Sequence, residues 1–318
     1  MKITNLVLIL IGFLSISNHS ALCEIKKEFT KEELYSIYSN KLKELNLSTV
    51  DADKIRYDTF DAGIETEWGR KVWDVACLHS GIGMKIDPFT GALIGLNNYY
   101  ILRKTTGPTT PVFEGSAKPA RNKQEIIKEA EGYLKILYGG IPQDAFFDKA
   151  EYNANMGPDT RHSYEGNWVV NWGRKTDGYK YRFDSITVVV YEKYGLSGYG
   201  YNFFSDPPKS LIVNITKEKA IEIAKPFARK MAKLFGYQLG EVLSAELMIT
   251  NPNFFEGQFV KGFCSIGVKD YSKYPKSYSR LAWIVSFSWG YDKIFTKNYD
   301  PAHVWIDAET GEILGGGA

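Results

Sequence analysis

Reactive side chains are scarce in this sequence: three cysteines and four histidines stand in 318 residues. No CxxC pair occurs, so a zinc site of the usual Cys/His kind is not expected. HExxH and GxSxG are missing, as are a Gly-rich loop ending in Lys-Ser or Lys-Thr and a GxGxxG between strand and helix. The familiar zinc hydrolases, serine hydrolases and nucleotide-binding enzymes therefore find no support. Charge of one sign is missing too. Lys and Arg number 39 against 37 Asp and Glu, a net charge of +2, and such a balance creates no field that would gather nucleic acid or anionic lipid. Long apolar runs are absent; the longest, "LVLILIGFL" at 6–14, falls short of the ~20 residues that cross a bilayer.

That apolar run follows Lys2 and leads through polar and small residues to Ala21-Leu22-Cys23, which is the pattern of a secretory signal peptide over residues 1–23. Leu22 is bulky for the residue before a lipidated cysteine, which argues for cleavage after Cys23 rather than lipid attachment to it. The expectation is a secreted or periplasmic protein with no transmembrane segment after processing. Cys77 and Cys264 then remain, either as two buried thiols or as a disulfide allowed by an oxidising compartment.

What the sequence has in abundance is periodicity. With 44% hydrophobic and 24% charged residues, the chain has core material for two or three domains. Aromatics reach 14%, with 21 Tyr, in keeping with strands that show one half-exposed face. A 3.6-residue period predicts helices over 30–46, 123–138 and 216–235, each with an apolar stripe. Thr30 with Glu33 and Asn122 with Glu125 fit capping boxes, Thr216 can cap alone, and Pro226 predicts a kink or break in the third helix. After each helix the period drops to 2 and a Trp-bearing strand appears: "KVWDVAC" (71–77), "GNWVVNWGR" (166–174) and "LAWIVSFSW" (281–289). The three Trp strands recur about 100 residues apart, the size of a small α+β unit.

Each Trp strand leads to a second strand that ends at a turn glycine: Gly91, Gly195 or Gly311. Two of these turns read almost alike, "IDPFTGALI" (86–94) and "IDAETGEIL" (306–314). In Asp-x-x-Thr-Gly the carboxylate can accept the N–H groups of the following residues while glycine supplies the positive φ that closes the hairpin. Asp87 and Asp307 are thus expected to be turn residues. A calcium loop needs oxygens at alternate positions, which Pro88-Phe89 cannot give. The middle copy, "VVVYEKYGLSGYG" (188–200), keeps the glycine and loses the Asp and Thr, a change that a hairpin survives and chemistry does not.

A helix opening Thr-Lys-Glu, a strand Ala-Trp-x-Val and a closing hairpin Val-x-Ile-Asp-Ala-x-Thr-Gly-Glu-Ile together resemble PepSY domains and the related YcdB/YcdC repeats of exported bacterial proteins. "ITKEKAIEIA" (215–224), "LAWIVSF" (281–287) and "HVWIDAETGEIL" (303–314) carry the match; "VWDV" (72–75) and "MKIDPFTGALIGL" (84–96) repeat it, and the middle segment keeps its outline. The resemblance implies an α+β, cystatin-like fold of three tandem units, each an amphipathic helix on a small antiparallel sheet. The units are expected at 24–104, 121–204 and 214–318, with linkers at 105–120 and 205–213. It also implies peptidase-inhibitor-like or envelope-binding roles, with no catalytic residue and no cofactor in the pattern.

Two readings of function follow. The first is a non-catalytic protein that holds a protein or peptide partner of the cell envelope or extracellular space through sheet edges and Tyr-rich loops. The loop "KDYSKYPKSYSR" (269–280) offers Tyr271, Tyr274 and Tyr278 as its contact surface. The second is a hydrolase of unfamiliar type, or a structural spacer. For the hydrolase, Glu165, Asp292 and Asp300 are candidate acids in an inter-domain cleft, and His303 beside Asp300 is a candidate base.

Overall fold

A computed structural model of the chain describes residues 28–47, 55–67, 70–77, 80–99, 101, 118–156, 163–234, 236–252, 277–290 and 301–317. The signal peptide, Cys264, Tyr271, Tyr274, Asp292, Asp300, the side chain of Glu165 and most of the 105–120 linker lie outside the described residues.

Helices form where the sequence has its 3.6 period: α1 (Lys31–Leu45), α2 (Lys123–Tyr138) and α3 (Lys217–Leu234). Thr30 and Glu33 complete the capping box at α1. Asn122 caps α2 differently from expectation, accepting from Gln124 N at 2.8 Å, and Thr216 Oγ1 accepts from Lys219 N at 3.3 Å. The predicted break at Pro226 is absent, because α3 runs unbroken through it. Proline removes one hydrogen bond, and the turns around it are anchored by the buried Ala224, Phe227, Ala228 and Met231.

Among the described residues each helix is followed by four strands. After α1 come β1 (Phe60–Glu67), β2 (Arg70–Cys77), β3 (Ile82–Ile86) and β4 (Leu93–Asn98). After α2 come β5 (Ala145–Met156), β6 (Ser163–Thr176), β7 (Tyr179–Tyr191) and β8 (Gly195–Tyr201). After α3 come β9 (Gln238–Thr250), β10 (Arg280–Gly290), β11 (Ala302–Asp307) and β12 (Ile313–Gly317). Within each block consecutive strands pair antiparallel, and the Trp strand is always the second.

The blocks do not stand as three separate small sheets. β4 pairs antiparallel with β8 through Gly95↔Gly200, Leu96↔Tyr199 and Asn97↔Gly198. The first eight strands therefore make one sheet in the order β5-β6-β7-β8-β4-β3-β2-β1. Each block contributes its fourth strand to this joint, so the two meanders meet about a local pseudo-twofold centred on Leu96 and Tyr199. Both helices lie on the same face, where Leu34, Tyr38, Leu42 and Leu45 of α1 and Ile126, Ala130, Leu134 and Leu137 of α2 share one core with Met84, Leu96, Val170, Trp172 and Val188. Full burial of each aliphatic side chain contributes roughly 1.5–3 kcal/mol before entropy is counted.

The third block has its own core, Ala220, Ala224, Phe227 and Met231 of α3 against Val285, Phe287, Val304 and Ile306. It joins the larger sheet where β7 meets β9 in parallel at Tyr181↔Ile249. The opposite face of this block, with Ala282, Ile284, Trp305 and Leu314, takes Phe183 of β7 against it. Among the described residues no helix is long and apolar enough to cross a membrane.

Candidate functional site

The recurring hairpin explains itself through hydrogen bonds. Asp87 Oδ1 accepts from Phe89 N at 3.0 Å, Thr90 N at 2.8 Å and Thr90 Oγ1 at 2.8 Å. Asp307 Oδ1 accepts from Glu309 N at 3.0 Å and Thr310 N at 2.9 Å. Gly91 and Gly311 take φ of +69° and +76°, a region in which a side chain is strained.

The hairpin tip also seats the start of the helix. Phe29 N donates to Pro88 O at 3.3 Å, and Ile215 N donates to Ala308 O at 2.9 Å. Phe29 and Ile37 close over Gly91 as Ile215 and Ile223 close over Gly311. In the middle block a side chain replaces the carbonyl: Glu192 receives Ala120 N and Arg121 N, each at 3.1 Å, and Trp168 Nε1 at 3.0 Å. Sequence reading missed Glu192, although its place after Tyr191 matches that of Pro88 and Ala308 in the other two turns.

Asp87 and Asp307 lie on different hairpins and do not share a cavity. Their settings differ, since Asp87 is half-buried while Asp307 is 1% exposed, its Oδ2 2.8 Å from Arg280 Nη2. That contact is an ion pair without hydrogen-bond alignment.

Tyr278 belongs to a polar seam between the second and third blocks. Its carbonyl accepts from Asn251 Nδ2 at 3.1 Å and its hydroxyl from Arg280 Nη1 at 3.1 Å. The connector after β8 is held by the same strand start: Asp206 N donates to Ser277 O at 2.7 Å, Ser277 Oγ to Asp206 Oδ2 at 2.6 Å, and Ser279 Oγ to Asp206 O. Deeper in the seam, Arg174 Nε meets Asp144 Oδ2 at 2.6 Å and its Nη1 meets Asp184 Oδ2 at 2.9 Å. Ser205 Oγ lies 2.5 Å from Asp184 Oδ1. Burial pushes the Asp184 carboxyl above its ordinary range, against the lowering effect of Ser205 and Arg174. This network is a strut; its carboxylates face a guanidinium and hydroxyls rather than an open cleft.

Two further features have chemical interest. Ser286 Oγ and His303 Nδ1 stand 2.7 Å apart across β10 and β11, but Ser286 is 6% exposed, so its oxygen is not presented as a nucleophile. An open groove of about 650 Å³ runs between the C-terminal turns of α1 and α2 and the Gly91 hairpin, where Lys41 Nζ donates to Ile136 O at 2.7 Å and pairs with Glu44. Cys77 is buried, its Sγ 3.6 Å from Arg56 O; among the described residues it has no disulfide partner, and Cys264 lies outside them. Among the described residues no three Cys, His, Asp or Glu side chains converge as a metal site.

Comparison with known proteins turns on the C-terminal strands. Residues 265–316 match the PepSY family, described as "Peptidase propeptide and YPEB domain". The PepSY match thus takes in β10, β11, β12 and Tyr278. No curated protein matches the chain. Among solved structures, the Bacillus megaterium YpeB C-terminal domain aligns at 12% identity and a TM-score of 0.40, covering 92% of this chain and 98% of that one. An uncharacterized protein from Eubacterium rectale ATCC 33656 aligns at 12% identity and a TM-score of 0.36, covering 89% and 82%.

Proposed function

We propose that this chain is an exported, non-catalytic binding protein built of three tandem helix-on-sheet units, at 24–104, 121–204 and 214–318. Its partner is a protein or peptide of the cell envelope or extracellular space, either a peptidase that it binds or inhibits or another envelope component. The observation that carries this reading is the PepSY match over 265–316, a segment that includes the Tyr-rich loop with Tyr271, Tyr274 and Tyr278. In support, the Asp87 and Asp307 carboxylates are occupied by their own turns. Removal of residues 1–23 on export is part of the proposal, as is a contact surface made of the Tyr-rich loop and neighbouring strand edges.

Affinity capture with the mature chain from envelope extract tests it. The expected result is a partner retained by the wild type and lost when Tyr271, Tyr274 and Tyr278 are all replaced by Ala. Turnover of any member of a peptide, glycoside or ester panel, abolished by substitution of a single residue, would overturn the non-catalytic reading.

A further inference from the structure

Arg182 follows Tyr181, the residue through which β7 meets β9. Its guanidinium carbon lies 5.4 Å from the Phe183 ring centre and 5.7 Å from that of Trp305, and the two rings meet edge to face at 5.5 Å. Nε is sealed from solvent with no hydrogen-bond partner. No carboxylate among the described residues pairs with this cation, and Asp184, two residues along the same strand, holds Arg174 together with Asp144. Arg280, the other seam arginine, has Asp307 and Glu309.

A largely buried cation without a counter-ion costs the fold free energy, and stacking on aromatic faces offsets only part of that. Burial alone pushes Arg182 down to about 10. The residue as a whole keeps some exposure, and of its three nitrogens only Nε is both sealed and unpartnered, which leaves the terminal nitrogens open to a ligand. His303 alternates with Trp305 on β11 and shares its face, placing the Ser286–His303 pair on the same side of the sheet.

We propose that Arg182, walled by Phe183 and Trp305, is a recognition point for a carboxylate. One positive charge balances one negative charge. A guanidinium also presents parallel donors that match a planar carboxylate, and flat aromatic walls suit that group better than a tetrahedral dianion. That the carboxylate belongs to a peptide, as a C-terminus or an acidic side chain, rests on the binding role proposed above; the carboxylate site itself rests on the geometry.

The test uses the mature chain, thermal melts and calorimetric titration. The probes are sodium acetate, a short neutral peptide with a free C-terminus, its C-terminal amide, the amide carrying one Glu, and inorganic phosphate. Acetate at about 100 mM is expected to raise the melting temperature above that in equal chloride. Arg182→Met is expected to abolish that rise and to melt above wild type in chloride, since it removes an unpaired cation. Arg182→Lys keeps the charge without the parallel donors and is expected to weaken peptide binding about tenfold or more; it decides the matter if the Met variant does not fold. The free-acid peptide or the Glu amide, whichever binds, identifies the source. No acetate effect in the wild type, an effect that survives both substitutions, or tighter binding of phosphate would each overturn the site. Partner capture that persists in Arg182→Met alongside no acetate effect sinks the site and leaves the binding role; acetate protection lost in Arg182→Met with no partner captured does the reverse.

Discussion

Replacing Asp307 by Ala should cost far more than the same change at Asp87, although the two occupy the same place in nearly the same phrase. Asp87→Ala removes bonds to two turn N–H groups and a hydroxyl, but the site is half-buried and water can replace much of the loss. A cost of about 1–2 kcal/mol is expected, as for loss of a cap. Asp307 is 1% exposed and faces Arg280, itself 21% exposed, at 2.8 Å. Its removal strands two turn N–H groups and leaves the guanidinium with Glu309 at 3.6 Å. Breaking a buried pair from one side costs about 3–5 kcal/mol. Urea unfolding followed by tryptophan fluorescence measures both, provided the slopes with denaturant agree. A double-mutant cycle with Arg280→Ala should show strong coupling to Asp307 and none to Asp87. Equal costs for the two Asp variants, or additivity between Asp307→Ala and Arg280→Ala, would refute the claim that the ion pair separates the two turns.

Other outcomes follow from the same geometry. Asp184 titrates above its ordinary 3.8 because it is buried, so its contribution to stability is complete below the unfolded value and is lost as pH rises through the raised one. The stability of wild type relative to Asp184→Asn should therefore fall as pH rises from below 3.8 through the raised value, and a flat difference would contradict the assignment. Gly311→Val should destabilise by about 1–3 kcal/mol, because φ is +76° and a Cβ would lie 3.2 Å from Ile215 and 3.3 Å from Ile223. Gly139→Ala, with φ of +91° and open space around it, separates backbone strain from crowding when melted beside it. Burial raises the Cys77 thiol, so peptide mapping after N-ethylmaleimide treatment should find Cys77 labelled only when the chain is unfolded first.

Much of the local structure was legible because its causes lie within a few residues. The stripe Leu34, Tyr38, Leu42, Leu45 specifies a helix and the face it buries, and Thr30 with Glu33 specifies where it starts. The Trp strands declare themselves by alternation. The break expected at Pro226 does not occur because its cost, one hydrogen bond, is local, while the packing that holds α3 together comes from strands far along the chain. The seam residues were not legible, since nothing near Arg174 in sequence announces Ser205, and nothing near Ser205 announces Asn251 or Tyr278.

Sequence alone determined the elements, their order and the family resemblance, because period, caps and turn chemistry act between near neighbours. Only the tertiary structure decided which edges met: the β4–β8 joint fuses two blocks into one sheet through three residue pairs. It likewise decided which ions found partners, giving Arg174 two carboxylates and leaving Arg182 with aromatic rings. Long-range pairing depends on register and on the burial it creates, and neither is written in any short stretch of residues.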